Sequence, residues 1–236
     1  MNKTTIIPLE NGDMADATLR VSCRAAKRLT RDEFEKRYFA MPKHKKAELI
    51  EGIVYIASPL RFSAHGQPHF QINTWLGVYA AATPGVKGAD NTTTRLDKDN
   101  EPQPDAMLFI ESSLGGQIKI SKDDYIEGAP ELIVEVAASS ATYDLHDKLK
   151  VYQRNGVKEY LVWKVYEQEL SWFRLSKGEY ISVALDENGV IKSQVFPGLW
   201  LAVKSLIEGN LAEVLNVLQQ GLSSSEHQKF LSQLNS

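Results

Sequence analysis

The chain lacks several features that commonly declare a function. It has one cysteine, Cys23, in 236 residues, which excludes an internal disulfide and a thiolate metal cluster within one chain and makes a reducing compartment the simpler expectation. No apolar run approaches the roughly 18 residues that a membrane span needs. Met1 to Leu19 carries Glu10, Asp13 and Asp16 where a secretory leader needs a continuous apolar core. A cytoplasmic protein is therefore expected. An excess of one charge sign is missing too: 27 Lys and Arg against 30 Asp and Glu gives 27 − 30 = −3. That argues against a surface that coats nucleic acid, while leaving room for a local basic groove. There is no GxSxG elbow, Rossmann fingerprint, phosphate-cradling Gly-rich loop or HExxH motif, so serine esterases, dinucleotide enzymes, P-loop hydrolases and zincins have little support.

What is present describes a globular protein with a sizeable core: 43% hydrophobic and 24% charged residues, with a mean hydropathy of −0.29. The length suits one large domain, or one with a small appendage. Residues 1–30 show no clear periodicity and read as a lightly ordered arm or a strand laid on the domain. Thr30 with Glu33 forms a capping box, and Phe34, Tyr38 and Phe39 recur at helical spacing, so Thr30 to Ala40 is a short helix. Ala47 to Ala57 reads as a strand or tight hairpin around Gly52, closed by Ser58-Pro59. Pro68 to Ala82 is a largely buried helix ended by Pro84-Gly85. The strands Val86 to Leu96 and Pro104 to Ile110 form a hairpin around the polar residues 97–100, and Glu131 to Val136 is a strand covered on both faces. Tyr143 to Asn155 is a helix capped by Gly156, followed by a buried strand Glu159 to Val165.

The order from Pro68 to Val165 is thus α-β-β-β-α-β, an α/β fold with a mixed sheet. Leu170 to Phe173, Tyr180 to Ala184 and Val190 to Val195 extend it as a meander, with Asn188-Gly189 as the hairpin turn. Leu206 to Leu218 is helical by spacing, and Ser223 with Glu226 caps a last helix. Trp75, Trp163, Trp172 and Trp200 lie in apolar runs and read as core.

Two acids stand where propensity would not put them. Asp105 opens the apolar run Asp-Ala-Met-Leu-Phe-Ile, and Glu135 lies inside Leu-Ile-Val-Glu-Val. An unpaired ionised side chain there costs several kcal/mol, so something cationic must compensate each. A salt bridge to a nearby Lys or Arg is one reading for either acid. If the strands are neighbours, the other is convergence on a hard divalent ion, which suits phosphodiester hydrolysis because Mg²⁺ takes one or two carboxylates, waters and phosphate oxygens. On the next helix, with Leu145 set at 0°, Leu149 falls at roughly 40° and Tyr152 at roughly 340°; Lys148 at roughly 300° borders this buried face, and Lys150 at roughly 140° points to solvent. Lys148 can reach over the sheet towards Glu135, or pair simply with Asp144 four residues earlier.

These residues resemble a known family. Pro104-Asp105 followed by a strand glutamate at 135 resembles the PD-(D/E)xK nuclease pattern. The wider set, Glu48-Leu49-Ile50-Glu51-Gly52, Ser58-Pro59, His65, Glu131 to Val136, Ser139-Ser140, Tyr143-Asp144-Leu145, Lys148-Leu149, Tyr152 and Gly156 to Tyr160, is similar to the Uma-type family of restriction-endonuclease-like proteins. The likeness spans roughly Thr30 to Leu218. It implies a restriction-endonuclease-like domain over 31–204, with a C-terminal helical extension over 205–236. It also implies a Mg²⁺- or Mn²⁺-dependent DNA endonuclease in which Asp105, Glu135 and the Val136 carbonyl hold the metal. The superfamily's lysine stands two residues after the glutamate, where this chain has Ala137; in the Uma-type variant it has moved to the next helix, and Lys148 occupies that place. The first core helix holds no acid, so Glu48 is the substitute.

His65 is an accessory proton donor or phosphate contact in the same reading. His65 and His69 have the spacing of a metal pair, but Gly66 and Pro68 between them weaken helix continuity and speak against zinc. The basic stretches Lys43 to Lys46 and Arg20 to Arg31 can contact phosphates or be solvated faces. The stripe Leu211, Leu215 and Leu218 is expected to be exposed and to support a homodimer. The alternative function is an inactive nuclease-like scaffold that binds nucleic acid or a protein partner.

Overall fold

The computed structural model describes residues 28–40, 46–56, 60–138 and 146–234, and the backbone of 19–20 and 144–145. Most of the expected N-terminal arm, Lys43 to Lys45, Ser58-Pro59, Ser139-Ser140 and Tyr143 lie outside the described residues. In chain order, β1 (Leu19–Arg20), α1 (Arg31–Phe39), β2 (Ala47–Ile50) and β3 (Ile53–Ile56) precede α2 (Gln67–Ala82), which is entered through a wide π-type turn, Phe62–Gly66. Then follow β4 (Val86–Asp90), β5 (Thr94–Arg95), β6 (Ala106–Ile110), β7 (Lys119–Ile120), β8 (Ile126–Glu127) and β9 (Leu132–Ala137). A second π-type turn, Asp144–Lys148, leads into α3 (Leu149–Asn155). The remainder is β10 (Glu159–Lys164), β11 (Glu169–Ser176), β12 (Glu179–Ser182), β13 (Val190–Lys192), β14 (Trp200–Ala202), α4 (Val203–Ile207), α5 (Leu211–Leu222) and α6 (Ser225–Leu234).

The main sheet has the order β12-β11-β10-β9-β6-β4. Among the described strands of this sheet, only β9 and β10 pair in parallel, joined by the crossover that contains α3. Helices cover both faces, which is why β9 is apolar at successive positions. Leu132, Val134 and Val136 pack with Ile72, Trp75 and Leu76 of α2 and with Val214 and Leu218 of α5. Ile133 and Ala137 face the other way, onto Val151 and Tyr152 of α3 and Ile50 and Tyr55 of the β2–β3 hairpin. The α-β-β-β-α-β core is therefore α2-β4-β6-β9-α3-β10, an α/β architecture with a mixed sheet. Helix α3 ends where Gly156 takes a left-handed φ of 83° and its N–H returns to the Gln153 carbonyl, a conformation that a Cβ would strain.

The structure departs from the sequence reading in five places. The strand expected at Val86 to Leu96 breaks at Asn91, whose φ is 47°, and β5 leaves the main sheet to pair with β8. The meander stops at β12: Asp186 accepts from the N–H groups of Asn188 and Val190 and turns the chain away, so β13 pairs with β14 in a separate ribbon. The helix expected at Leu206 to Leu218 is two helices, because Asn210 caps a new one by accepting from Glu213 N–H. The last helix is capped by Ser224, which accepts from His227 N–H; Ser223 instead ends α5. Finally, Leu218 is fully buried and Leu211 and Leu215 pack on the same core. The exposed stripe does not exist, and that argument for a homodimer falls away. Trp75, Trp163 and Trp172 are core as expected, while Trp200 is partly exposed with Lys192 over its ring at 4.3 Å.

Helix α1 is fastened by a charge cluster. Its capping box is formed, with Thr30 and Glu33 exchanging hydrogen bonds. Glu35 accepts from Arg95 Nε at 2.7 Å, and Arg95 also makes a bidentate pair with Asp123. Glu101, whose backbone pairs with Leu49 of β2, is buried in this cluster. Burial pushes its carboxyl up to about 8; the Glu35 carboxylate adds to the rise, and Arg95 and Arg31 only partly offset it. A folded-state value above the ordinary one means that this contribution is complete below the ordinary range and is lost as pH rises towards 8. Melting temperature should therefore fall more steeply between pH 5 and pH 9 in the wild type than in Glu101→Gln; parallel pH profiles would rule out the assignment.

Candidate active site

Strand β6 runs antiparallel to β9, with Ala106 opposite Val134 as the last recorded pair. One step further along the same register, Asp105 comes opposite Glu135. The two acids marked by the sequence are thus brought to one end of the sheet. Because β6 stops there while β9 continues to Ala137, the Val136 N–H has no strand partner; Asp105 Oδ2 accepts it at 2.8 Å. By strand alternation the Val136 carbonyl faces the same edge. The other Asp105 oxygen, Oδ1, lies 3.1 Å from His65 Nε2. Burial pushes the Asp105 carboxyl upward, but the His65 hydrogen bond and charge, the Val136 N–H and the Lys148 charge outweigh it and hold the group below its ordinary range. Asp105 is ionised at neutral pH.

Glu135 is 4% exposed, and its cost is offset from the π-type turn before α3 and from α3 itself. Lys148 Nζ lies 2.8 Å from Glu135 Oε1, and the Tyr152 hydroxyl donates to the same oxygen at 2.7 Å. Lys148 and Tyr152 are four residues apart, so one face of the helical segment presents both. Lys148 Nζ also lies 3.2 Å from Glu48 Oε2, and Glu48 Oε1 accepts from Gln103 N–H at 2.8 Å. Lys148 is buried and Lys150 exposed, in keeping with their angular separation. Asp105, Glu135, Lys148, Glu48 and His65 therefore lie in one connected network, with the Val136 main chain at its centre.

Four contributors escaped the sequence reading as contacts. Tyr152 could be placed on the buried face of its helix, but its hydroxyl partner depends on the sheet beneath. His69 Nε2 lies 2.7 Å from the Asp105 carbonyl and 2.8 Å from Asp90 Oδ1, so the second histidine braces the Asp105 backbone. Gln103 holds Glu48 through its backbone N–H, which no side-chain pattern signals. Glu131, quoted in the strand motif, accepts from the N–H groups of Ile110 and Gln117 and is a clamp at the far end of β6. Of the basic residues considered for phosphate contact, Arg28 pairs with Glu51, Arg31 with Glu35, and Lys46 donates to Asn91 Oδ1.

A carboxylate only accepts, so His65 carries its proton on Nε2. Its Nδ1 is buried and has no hydrogen-bond partner among the described residues. Among the described residues no three His, Cys, Asp or Glu side chains stand together as a ready ion cage; Asp105 and Glu135 each face their own partners. The donor chemistry nonetheless fits a hard divalent ion. Three carboxylates meet one ammonium and one imidazole, which even with the imidazole protonated leaves a formal charge of −3 + 2 = −1. Mg²⁺ ordinarily uses only one or two carboxylates and keeps several waters.

A family model described as "Putative restriction endonuclease", Uma2, matches residues 31–204. A solved structure titled as "a putative nuclease belonging to DUF820" from Anabaena variabilis is similar at 17% identity, covering 77% of this chain and 98% of that one with a TM-score of 0.59. At that identity the likeness is one of fold. No curated protein matches the chain.

Removing one partner of a buried ion pair leaves the other charged and unpaired. Lys148→Met is expected to lower unfolding free energy by about 3–5 kcal/mol, against no more than about 0.5 kcal/mol for Lys150→Met. Urea denaturation of the two variants tests the contrast, and equal losses would contradict the burial of Lys148.

Proposed function

Because this chain belongs to the Uma2 family of restriction-endonuclease-like proteins, we propose that it is a divalent-metal-dependent endonuclease that hydrolyses DNA phosphodiester bonds. The observation that carries the reading is the network at the β6–β9 end: a lysine ammonium 2.8 Å from one strand acid and 3.2 Å from another, beside an ionised aspartate. Structural ion pairing alone would not call for two acids on one buried lysine with a third, ionised carboxylate beside them.

Asp105, Glu135 and the Val136 carbonyl are the groups that would hold Mg²⁺ or Mn²⁺, with Glu48 as a further ligand or an orienting base. When bound, such an ion lowers the pKa of a coordinated water and offsets charge on phosphate oxygens. The chain's own residues supply the rest. Lys148 is anchored by two carboxylates, so its ammonium is held in the site before substrate arrives and can orient a water and offset charge developing on the phosphate. Tyr152 keeps Glu135 turned towards that ammonium. His65 is fixed by Asp105 through Nε2; in its imidazolium form Nδ1 also carries a proton and can donate it to a phosphate oxygen or the leaving group. His69 and Asp90 keep the Asp105 backbone in place.

Incubation of DNA with Mg²⁺ or Mn²⁺ should yield cleaved product from the wild type, and Asp105→Asn, Glu135→Gln and Lys148→Met should each lose at least about a hundredfold in rate while retaining a wild-type circular dichroism spectrum. Calorimetry should find Mn²⁺ binding that depends on Asp105. Product formed at an unchanged rate by all three variants would place the activity elsewhere or in a contaminant.

A further inference from the structure

The helical segment that brings His65 and His69 to Asp105 turns two phenylalanines outward. Phe62 is 75% and Phe70 68% exposed, and Leu60, two residues before Phe62 in the chain, is 56% exposed. Helix α2 buries Ile72, Trp75, Leu76 and Tyr79 against the sheet. At about 100° per residue Phe70 lies roughly 160° from Ile72, on the side away from the core. Phe62 opens the π-type turn that carries His65, and its carbonyl receives the Gln67 N–H at the start of α2. Neither ring belongs to a buried core cluster, and a polar residue at either position would cost the fold little burial. A further ring, Tyr166, is 57% exposed just beyond β10. Lys164, two residues before it, pairs with Ala137, so Tyr166 stands at the same end of the sheet as the acid network.

We propose that Phe62 and Phe70 form a stacking wall for unpaired bases, so that the site takes single-stranded or unpaired nucleic acid in preference to intact duplex. The inference rests on the nucleic-acid part of the reading above and narrows its substrate class. In a duplex the base faces are covered by one another, and what is offered outward is phosphate. A duplex is gripped through its phosphates by cations, whereas this chain carries a net charge of −3, and Arg28, Arg31, Lys87, Arg154 and Lys158 are among its cations already paired with a carboxylate. Exposed aromatic rings bind instead what a duplex hides: every unpaired base presents a π-face, and stacking needs no base-specific hydrogen bond. Lys46, which donates to Asn91 Oδ1, follows Lys43, His44 and Lys45 in the chain.

The test is fluorescence anisotropy of the full chain in EDTA at one fixed low salt concentration. A labelled short single strand is compared with its duplex for the wild type, the double variant Phe62→Ala/Phe70→Ala and the conservative double variant Phe62→Tyr/Phe70→Tyr, with mass by light scattering recorded for each. The wild type should bind the single strand more tightly. The alanine pair should lose about tenfold or more on the single strand with little change on duplex, and the tyrosine pair should retain the preference. Equal losses on both forms, no loss on the single strand, no binding to either, or a wild-type dimer that the alanine pair converts to monomer would overturn the proposal, the last assigning the rings to a second copy. Cleavage is read separately with Mg²⁺ or Mn²⁺. An inactive protein that keeps the single-strand preference would fail as a nuclease and leave the stacking wall standing.

Discussion

The site depends on how a carboxylate is tolerated inside a strand that is covered on both faces. Glu135 sits among Leu132, Ile133, Val134 and Val136, all buried, where desolvation of an unpaired charge would cost more than any one neighbouring apolar contact contributes. The cost is met by Lys148 and Tyr152 from the segment that follows β9. That segment is also the crossover that makes β9 and β10 parallel. The requirement to neutralise Glu135 and the requirement to cover the sheet are thus met by the same helix, and Lys148 carries its charge onward to Glu48 of β2. An exposed pair of the same composition would matter little to stability or to placement.

The second constraint is the unequal length of β6 and β9. A strand that outlasts its neighbour leaves a backbone N–H to be satisfied, and a buried orphan of this kind is rare in folded proteins. Asp105 satisfies it with a side-chain oxygen. This holds one carboxylate oxygen on the β9 backbone and leaves the other for His65. His69 then holds the Asp105 carbonyl, so the residue is fixed through both side chain and main chain. Such doubly held polar groups are a recurrent means of keeping reactive side chains in place, because rigid support limits the rotamers that they can visit.

Much of this was legible in the sequence. The misplaced acids, the angular difference between Lys148 and Lys150, the helix ends at Thr30 and Gly156 and the buried character of β9 and β10 all follow from local rules of spacing and propensity. The failures share a cause. Strands of two or three residues, such as β5, β7, β8 and β14, are too short to show a period. The breaks at Asn91 and Asn210 depend on single residues whose side chains or backbone angles serve a tertiary role. The leucine stripe of α5 has the same pattern whether it faces solvent or the sheet, and only the packed structure shows which.

The sequence by itself determined the class of fold, the order of its core elements and the residue types at the candidate site, because hydrophobic periodicity and the cost of a buried charge are properties of a few consecutive residues. It could not determine which groups meet. That Lys148 bridges Glu48 and Glu135, that Tyr152 shares Glu135 with it, that Asp105 caps the unpaired edge of β9 and that Phe62 and Phe70 stay outside the core were decided by the tertiary structure. Each of these contacts joins elements far apart in the chain, and their distances are set by strand register and helix docking, not by spacing along the sequence.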